Sequence, residues 1–195
     1  MRVLVACEYS GTVRDAFTKA GHYAMSCDIL PTESEGPHYQ GDVLDVLNDG
    51  WDLMIAHPPC TYLSNAGARW LYPSGILNEE RYLKGKEAKA FFMALYNAPI
   101  PKICVENPGP SKVFELPKAS QKVQPYQFGH PFSKGTLLWL KNLPELKHTN
   151  VLKNYDYWCG SGNNPNKRDV AKRAKERSKF WEGIADAMAD QWGKV

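Results

Sequence analysis

The chain has 195 residues, 43% of them hydrophobic, and its 24 Lys and Arg against 21 Asp and Glu leave a net charge of +3. That length carries one full-sized core and is short for two, and the charge is too small to point to a partner by itself. No run approaches the roughly 18 apolar residues of a membrane span. The five cysteines (7, 27, 60, 104 and 159) are odd in number and lack any C-x-x-C pair, which argues against a disulfide framework or a zinc ribbon. A soluble, cytoplasmic protein with reduced thiols, no membrane and no metal is the expectation.

In chain order, Arg2 to Cys7 reads as a buried strand, and Val13, Ala16, Phe17 and Ala20 recur at helical spacing until Gly21 closes the turn. Glu8-Tyr9-Ser10-Gly11 lies between them, a strand-turn-helix junction that presents backbone N–H groups without matching G-x-G-x-x-G. Tyr23 to Cys27 predicts a second strand ending at Asp28. An acid there either binds ribose hydroxyls or caps a turn. Pro31 to Gln40 reads as a polar loop, and Asp42, in Gly41-Asp42-Val43, is able to face the same crevice.

Asp52 to Ala56 predicts a buried strand that runs into His57-Pro58-Pro59-Cys60, where the prolines end the ladder. Cys60 is thus delivered to a strand's carboxyl end, as a positioned nucleophile or as a small buried thiol. A long loop to about Leu77 precedes a helix from about Asn78 to Asn97, with Ala88, Phe91, Phe92 and Leu95 facing the core. Lys102 to Val105 is the next strand and ends at Glu106-Asn107-Pro108. Glu106 either meets the thiol in one crevice or caps the turn. Gln124 to Pro131 is turn-rich, with His130 read as structural, and Thr136 to Leu140 is a strand. Leu143 to Asn166 reads as irregular surface. The basic run Lys167, Arg168, Lys172, Arg173, Lys175, Arg177 and Lys179 is either a solvated face or a phosphate-tracking one. Trp181, Ile184, Ala185, Met188 and Trp192 form the packing face of a last helix.

Together these pieces resemble the DNA cytosine-5 methyltransferase family, which uses S-adenosylmethionine. Its catalytic motif, Pro-Cys-Gln, an aromatic, Ser, a variable residue, Ala, Gly, a variable residue and Arg, is similar to Pro59-Cys60-Thr61-Tyr62-Leu63-Ser64-Asn65-Ala66-Gly67-Ala68-Arg69. Its Glu-Asn-Val motif looks like Glu106-Asn107-Pro108, its first glycine-containing motif like Ala6 through Arg14, and its Gly-Asp-hydrophobic motif like Gly41-Asp42-Val43. Its Tyr-Gly-Val-Pro-Gln-x-Arg-x-Arg motif is similar to Phe128 through Thr136. Arg177 to Trp192 is similar to its last motif, a helix beside the cofactor. Short cytosine-methyltransferase-like proteins of bacteriophages resemble the chain more closely.

The resemblance implies a Rossmann-like methyltransferase fold of the α/β class, a mostly parallel, doubly wound sheet in a single domain over residues 1–195. It also implies an S-adenosylmethionine-dependent DNA (cytosine-5-)-methyltransferase-like enzyme that acts on a base flipped out of DNA. Cys60 adds to carbon 6 and Glu106 assists at N3. Glu8, Tyr9, Ser10, Gly11, Asp28, Asp42 and Pro58 then line the cofactor, with Asp28 on ribose and Asp42 near adenine, and Pro59, Ser64, Arg69, Asn107 and Lys134 face the substrate. Thr61 replaces the family's glutamine, and Lys134 and Thr136 stand where two arginines are expected. About 37 residues lie between Trp139 and Arg177, too few for the family's separate recognition domain. An irregular basic segment, 141–176, takes its place. A free pyrimidine nucleotide as substrate, or a non-catalytic regulator that binds DNA or cofactor, are the alternative readings.

Overall fold

The computed structural model describes residues 1–68, 70–157 and 180–195. Its centre is a seven-stranded sheet of order β3-β2-β1-β4-β5-β8-β6. The strands are β1 (Arg2–Ala6), β2 (Tyr23–Asp28), β3 (His38–Gln40), β4 (Leu53–Ala56), β5 (Lys102–Asn107), β6 (Gln121–Val123) and β8 (Thr136–Lys141). Pairing is parallel from β3 through β5, whereas β8 runs antiparallel to both β5 and β6. A two-stranded ribbon joins β7 (Phe132–Ser133) to β9 (Asp156–Tyr157).

Val3, Leu4, Val5 and Ala6 of β1 and all four residues of β4 are fully buried, because successive side chains enter cores on opposite faces of the sheet. On one face Val3, Val5, Leu53 and Ile55 pack with Val13 and Phe17 of α1 (Thr12–Lys19) and with Ile184, Met188 and Trp192 of α4 (Glu182–Trp192). On the other, Leu4, Ala6, Met54 and Ala56 pack with Phe92 and Leu95 of α3 (Glu79–Tyr96). Helices on both faces of a mostly parallel sheet make the fold α/β, doubly wound and Rossmann-like, as expected.

Gly21, at φ 87, follows the last turn of α1, and the Asn78 side chain accepts from the Arg81 amide to begin α3. Trp192 is fully buried and donates its indole N–H to the Pro144 carbonyl at 3.0 Å. Gly183 lets α4 approach closely, since a Cβ there would lie 2.1 Å from the Phe128 carbonyl oxygen. Gly183→Ala should therefore cost about 1–3 kcal/mol. At ~2–4 °C per kcal/mol for a chain of this size, a thermal melt should show a drop of several degrees.

Several expectations need correction. The polar loop Pro31 to Gln40 ends in β3, and β6 forms just before the turn-rich stretch, where no element was expected. Both are three-residue strands. They are too short to carry an apolar alternation. The loop after Cys60 contains a short helix α2 (Asn65–Ala68) and a single 3-10 turn, Pro73–Gly75.

Candidate active site

The strand order reverses between β1 and β4, and it is beside the carboxyl ends of parallel strands at such a reversal that doubly wound sheets hold ligands. Ala56 pairs with Val105, so the residues after them, His57 and Glu106, emerge side by side. His57 Nδ1 lies 3.3 Å from Glu106 Oε2, with side-chain exposures of 11% and 17%. The His57 ring also packs against Phe180, centroids 4.7 Å apart, and its Nε2 is buried with no hydrogen-bond partner among the described residues. Glu106 is within β5, paired with Leu138, and does not cap the following turn. Sequence reasoning did not assign His57 a role. Its position directly before the prolines at a strand end was the available clue.

The Cys60 loop is fastened to the segment after Glu106. Fully buried Asn107 donates from Nδ2 to the carbonyl of buried Pro58 at 3.2 Å. The Ser111 amide donates to the Leu63 carbonyl at 2.7 Å and the Asn65 amide to Gly109 at 2.9 Å, flanking a bridge between Ser64 and Pro110. Cys60, half-buried, accepts the Ser64 amide on its own carbonyl at 2.9 Å, closing the turn. Pro59 is exposed and Ser64 buried. Because β8 is antiparallel, Leu137 pairs with Asn107, so Lys134, two residues before β8, lies toward the end of the sheet at which β5 finishes. Arg69, Cys159 and the basic run 167–179 lie outside the described residues.

The other half of the crevice follows β1 and β2. Glu8 is buried, and its carboxylate accepts the Val13 amide at 2.7 Å, the Arg14 amide at 3.2 Å and the Ser10 hydroxyl at 3.3 Å, closing the N-terminus of α1. The Tyr9 carbonyl accepts the Glu33 amide at 2.8 Å. Gly11 has φ 78, and a Cβ on it would lie 2.1 Å from Ser34 Oγ, so both backbone conformation and packing require glycine. Arg14 is fully buried in the first turn of α1. Its guanidinium donates to Asp15, Ser26, Thr32, the Ser34 hydroxyl and carbonyl, and the Glu35 carbonyl, which latches residues 32–35 onto the helix.

Asp28 is the last residue of β2 and accepts the Leu30 amide at 2.9 Å on Oδ1. Asp42 is exposed and accepts the Leu44 amide at 3.0 Å. Beside these carboxylates are exposed Ile29, Leu30 and Leu44. The charge is felt nearby: burial first, then Asp28, pushes the Cys7 thiol far up, and burial followed by Asp28, Asp42 and Asp45 pushes Cys27 up to about 12. Burial, then Glu106, raises Cys104.

Only a thiolate alkylates readily. Among the four described cysteines, iodoacetamide at pH 8 is therefore expected to label Cys60 and to spare Cys7, Cys27 and Cys104, as read by peptide mass mapping. A thiol whose folded pKa is raised contributes stability that is whole below its ordinary value near 9 and is lost as pH climbs through the folded value. Denaturant midpoints should accordingly fall between about pH 9 and 12.

No group of three or more His, Cys, Asp or Glu that would hold a metal occurs among the described residues, and no described helix is long and apolar enough to cross a membrane. No protein-family model and no curated protein matches the chain. Among solved structures it is similar to an Entamoeba histolytica methyltransferase, EhMeth, at 14% identity and TM-score 0.48, covering 78% of this chain and 57% of that one. It is also similar to the Schizosaccharomyces pombe Dnmt2 methyltransferase at 18% identity and TM-score 0.44, covering 74% of this chain and 51% of that one. A Spodoptera frugiperda DNMT2 variant matches at 13% identity and TM-score 0.42, with 82% of this chain and 55% of that one covered. The chain spans about half the length of these proteins. What it does is therefore read from its own residues.

Proposed function

We propose that this protein transfers a methyl group from S-adenosylmethionine to carbon 5 of cytosine in DNA, through a covalent adduct of Cys60. The observation that carries the reading is the fastening of the Cys60 loop to the segment after Glu106 through Asn107, Ser111 and Asn65. It holds a nucleophile and an acid in adjoining segments at one end of the sheet. Neither is sufficient alone. Carbon 5 of a pyrimidine is a poor nucleophile until a thiolate adds to carbon 6 and moves electron density to it. Cys60 forms that bond as the ring's 5,6 double bond opens. Glu106 takes part in its acid form, donating its proton to N3, where the resulting negative charge appears, and accepting from the exocyclic amine; the proton returns to it as the adduct breaks down. After transfer, a base or water removes the proton from carbon 5, and the Cys60 thiolate departs as the double bond re-forms.

The chemistry of the crevice fits this cofactor. Asp28 and Asp42 offer carboxylate oxygens for hydroxyl and amine groups, exposed Ile29, Leu30 and Leu44 offer apolar faces for a purine, and the acidic field suits a cation. Glu8 already neutralises the N-terminus of α1, the place where a phosphate-bearing cofactor would bind. In this reading Asp28 holds the ribose, Asp42 lies near adenine, Tyr9, Ser10, Gly11 and Pro58 line the pocket, and Glu8 acts through its charge. Pro59, Ser64, Asn107 and Lys134 border the base. When bound, S-adenosylmethionine supplies a methyl group on a sulfonium that leaves as a neutral thioether.

The test is incubation with methyl-labelled S-adenosylmethionine and, in parallel, duplex DNA, RNA and dCMP. Label in DNA, falling steeply with added salt, is the expected result. Label only in dCMP would move the substrate to a free nucleotide, and tight cofactor binding without label in any arm would make the protein a non-catalytic binder.

A further inference from the structure

The contact between His57 and Glu106 is not required by the sheet, since His57 follows the last paired residue of β4 and the backbone of Glu106 is already paired with Leu138. An imidazole has two nitrogens, and the surroundings distinguish them. Nδ1 faces Glu106 Oε2 at 3.3 Å, while Nε2 is buried, without a partner among the described residues, on a ring packed under Phe180. A buried N–H with no acceptor is rarer and costlier than a bare acceptor nitrogen. The proton therefore belongs on Nδ1, where it donates to the Glu106 carboxylate.

We infer that His57 is a positioning residue for Glu106: its Nδ1–H pins Oε2 and leaves Oε1 to meet the heterocycle. The inference rests on the methyl-transfer reading for its functional half only. A carboxylate side chain has freely turning bonds, and a ring contact tolerates little misplacement, since an error of about 1 Å can cost on the order of 100-fold in rate. Phe180 completes the device by holding the imidazole from the far side.

Two measurements separate the parts. In protein labelled with ¹⁵N-histidine, the His57 ring shifts should report the Nδ1–H tautomer near neutral pH. The Nε2–H tautomer would overturn the inference whether or not the protein is an enzyme. In methyl-transfer assays, His57→Ala should lower kcat by roughly 100-fold while the Kd for S-adenosylmethionine stays within about twofold. His57→Asn, whose amide N–H sits close to the place of Nδ1, should restore most of the rate. Wild-type rate in His57→Ala, or equal loss in both variants, would overturn the positioning role. An Nδ1–H tautomer in a wild-type protein that labels nothing would sink the methyl-transfer reading and leave the contact standing.

Discussion

Cys60→Ala is expected to bring methyl transfer to background, because no other group on the Cys60 loop can make the bond to carbon 6. Removing a covalent nucleophile elsewhere has cost on the order of 10⁶-fold in kcat, which places the variant below ordinary detection. The loop should keep its shape, since it is fastened through the backbone of Leu63 and Asn65 and through Asn107. Thermal stability and cofactor affinity should thus match the wild type, and the loss should appear in kcat alone. Glu106→Gln keeps the size of the side chain and should lose roughly 10²–10³-fold, the usual effect of removing one group that stabilises transition-state charge. A Cys60→Ala protein that retained even a few per cent of the rate would exclude covalent catalysis by this residue.

The largest effect on stability is expected at Arg14. Its guanidinium is fully buried, and only one partner, Asp15, is itself charged. Truncation to Ala takes one of two partners from buried Ser26 Oγ, which keeps His38, and leaves the 32–35 segment held to α1 only through Ser34 and Asp15. With each hydrogen bond to a charged group worth about 1.5–3 kcal/mol, a loss of about 3 kcal/mol or more follows, measured by denaturant titration. Arg14→Lys should recover little of it, because one ammonium cannot reproduce a planar fork that serves five residues. Since Asp28 leads directly into the latched segment, S-adenosylmethionine should also bind more weakly to either variant. An Arg14→Lys protein as stable as the wild type would show that charge, not geometry, holds the segment.

Arg14 also illustrates what a sequence conceals. An arginine in a first helical turn looks solvated, and only the fold of residues 26–35 around it makes it a centre. Strands β1, β4 and β5 were legible because burial on both faces leaves unbroken apolar runs. Strand β3 was not, because Tyr39 and Gln40 are exposed at the sheet's edge. Thr136 to Leu140 declared itself a strand but not its direction, which depends on how the preceding turns bring the chain back. At the site, prolines after Ala56 and Asn107 marked the strand ends that deliver Cys60 and Glu106. The partnership of His57 with Glu106 depends on the Ala56–Val105 register, which no local pattern encodes.

The ring contact between Phe180 and His57 also has a bearing on the order of assembly. Every strand of the main sheet is complete by Lys141, and a nascent chain of that length already contains Cys60 and Glu106. It lacks the aromatic cover on the imidazole and the α4 surface that packs against Val13 and Phe17. During synthesis the sheet and the fastened Cys60 loop are therefore made before the cover on His57, which arrives only as the late helix docks onto the earliest one.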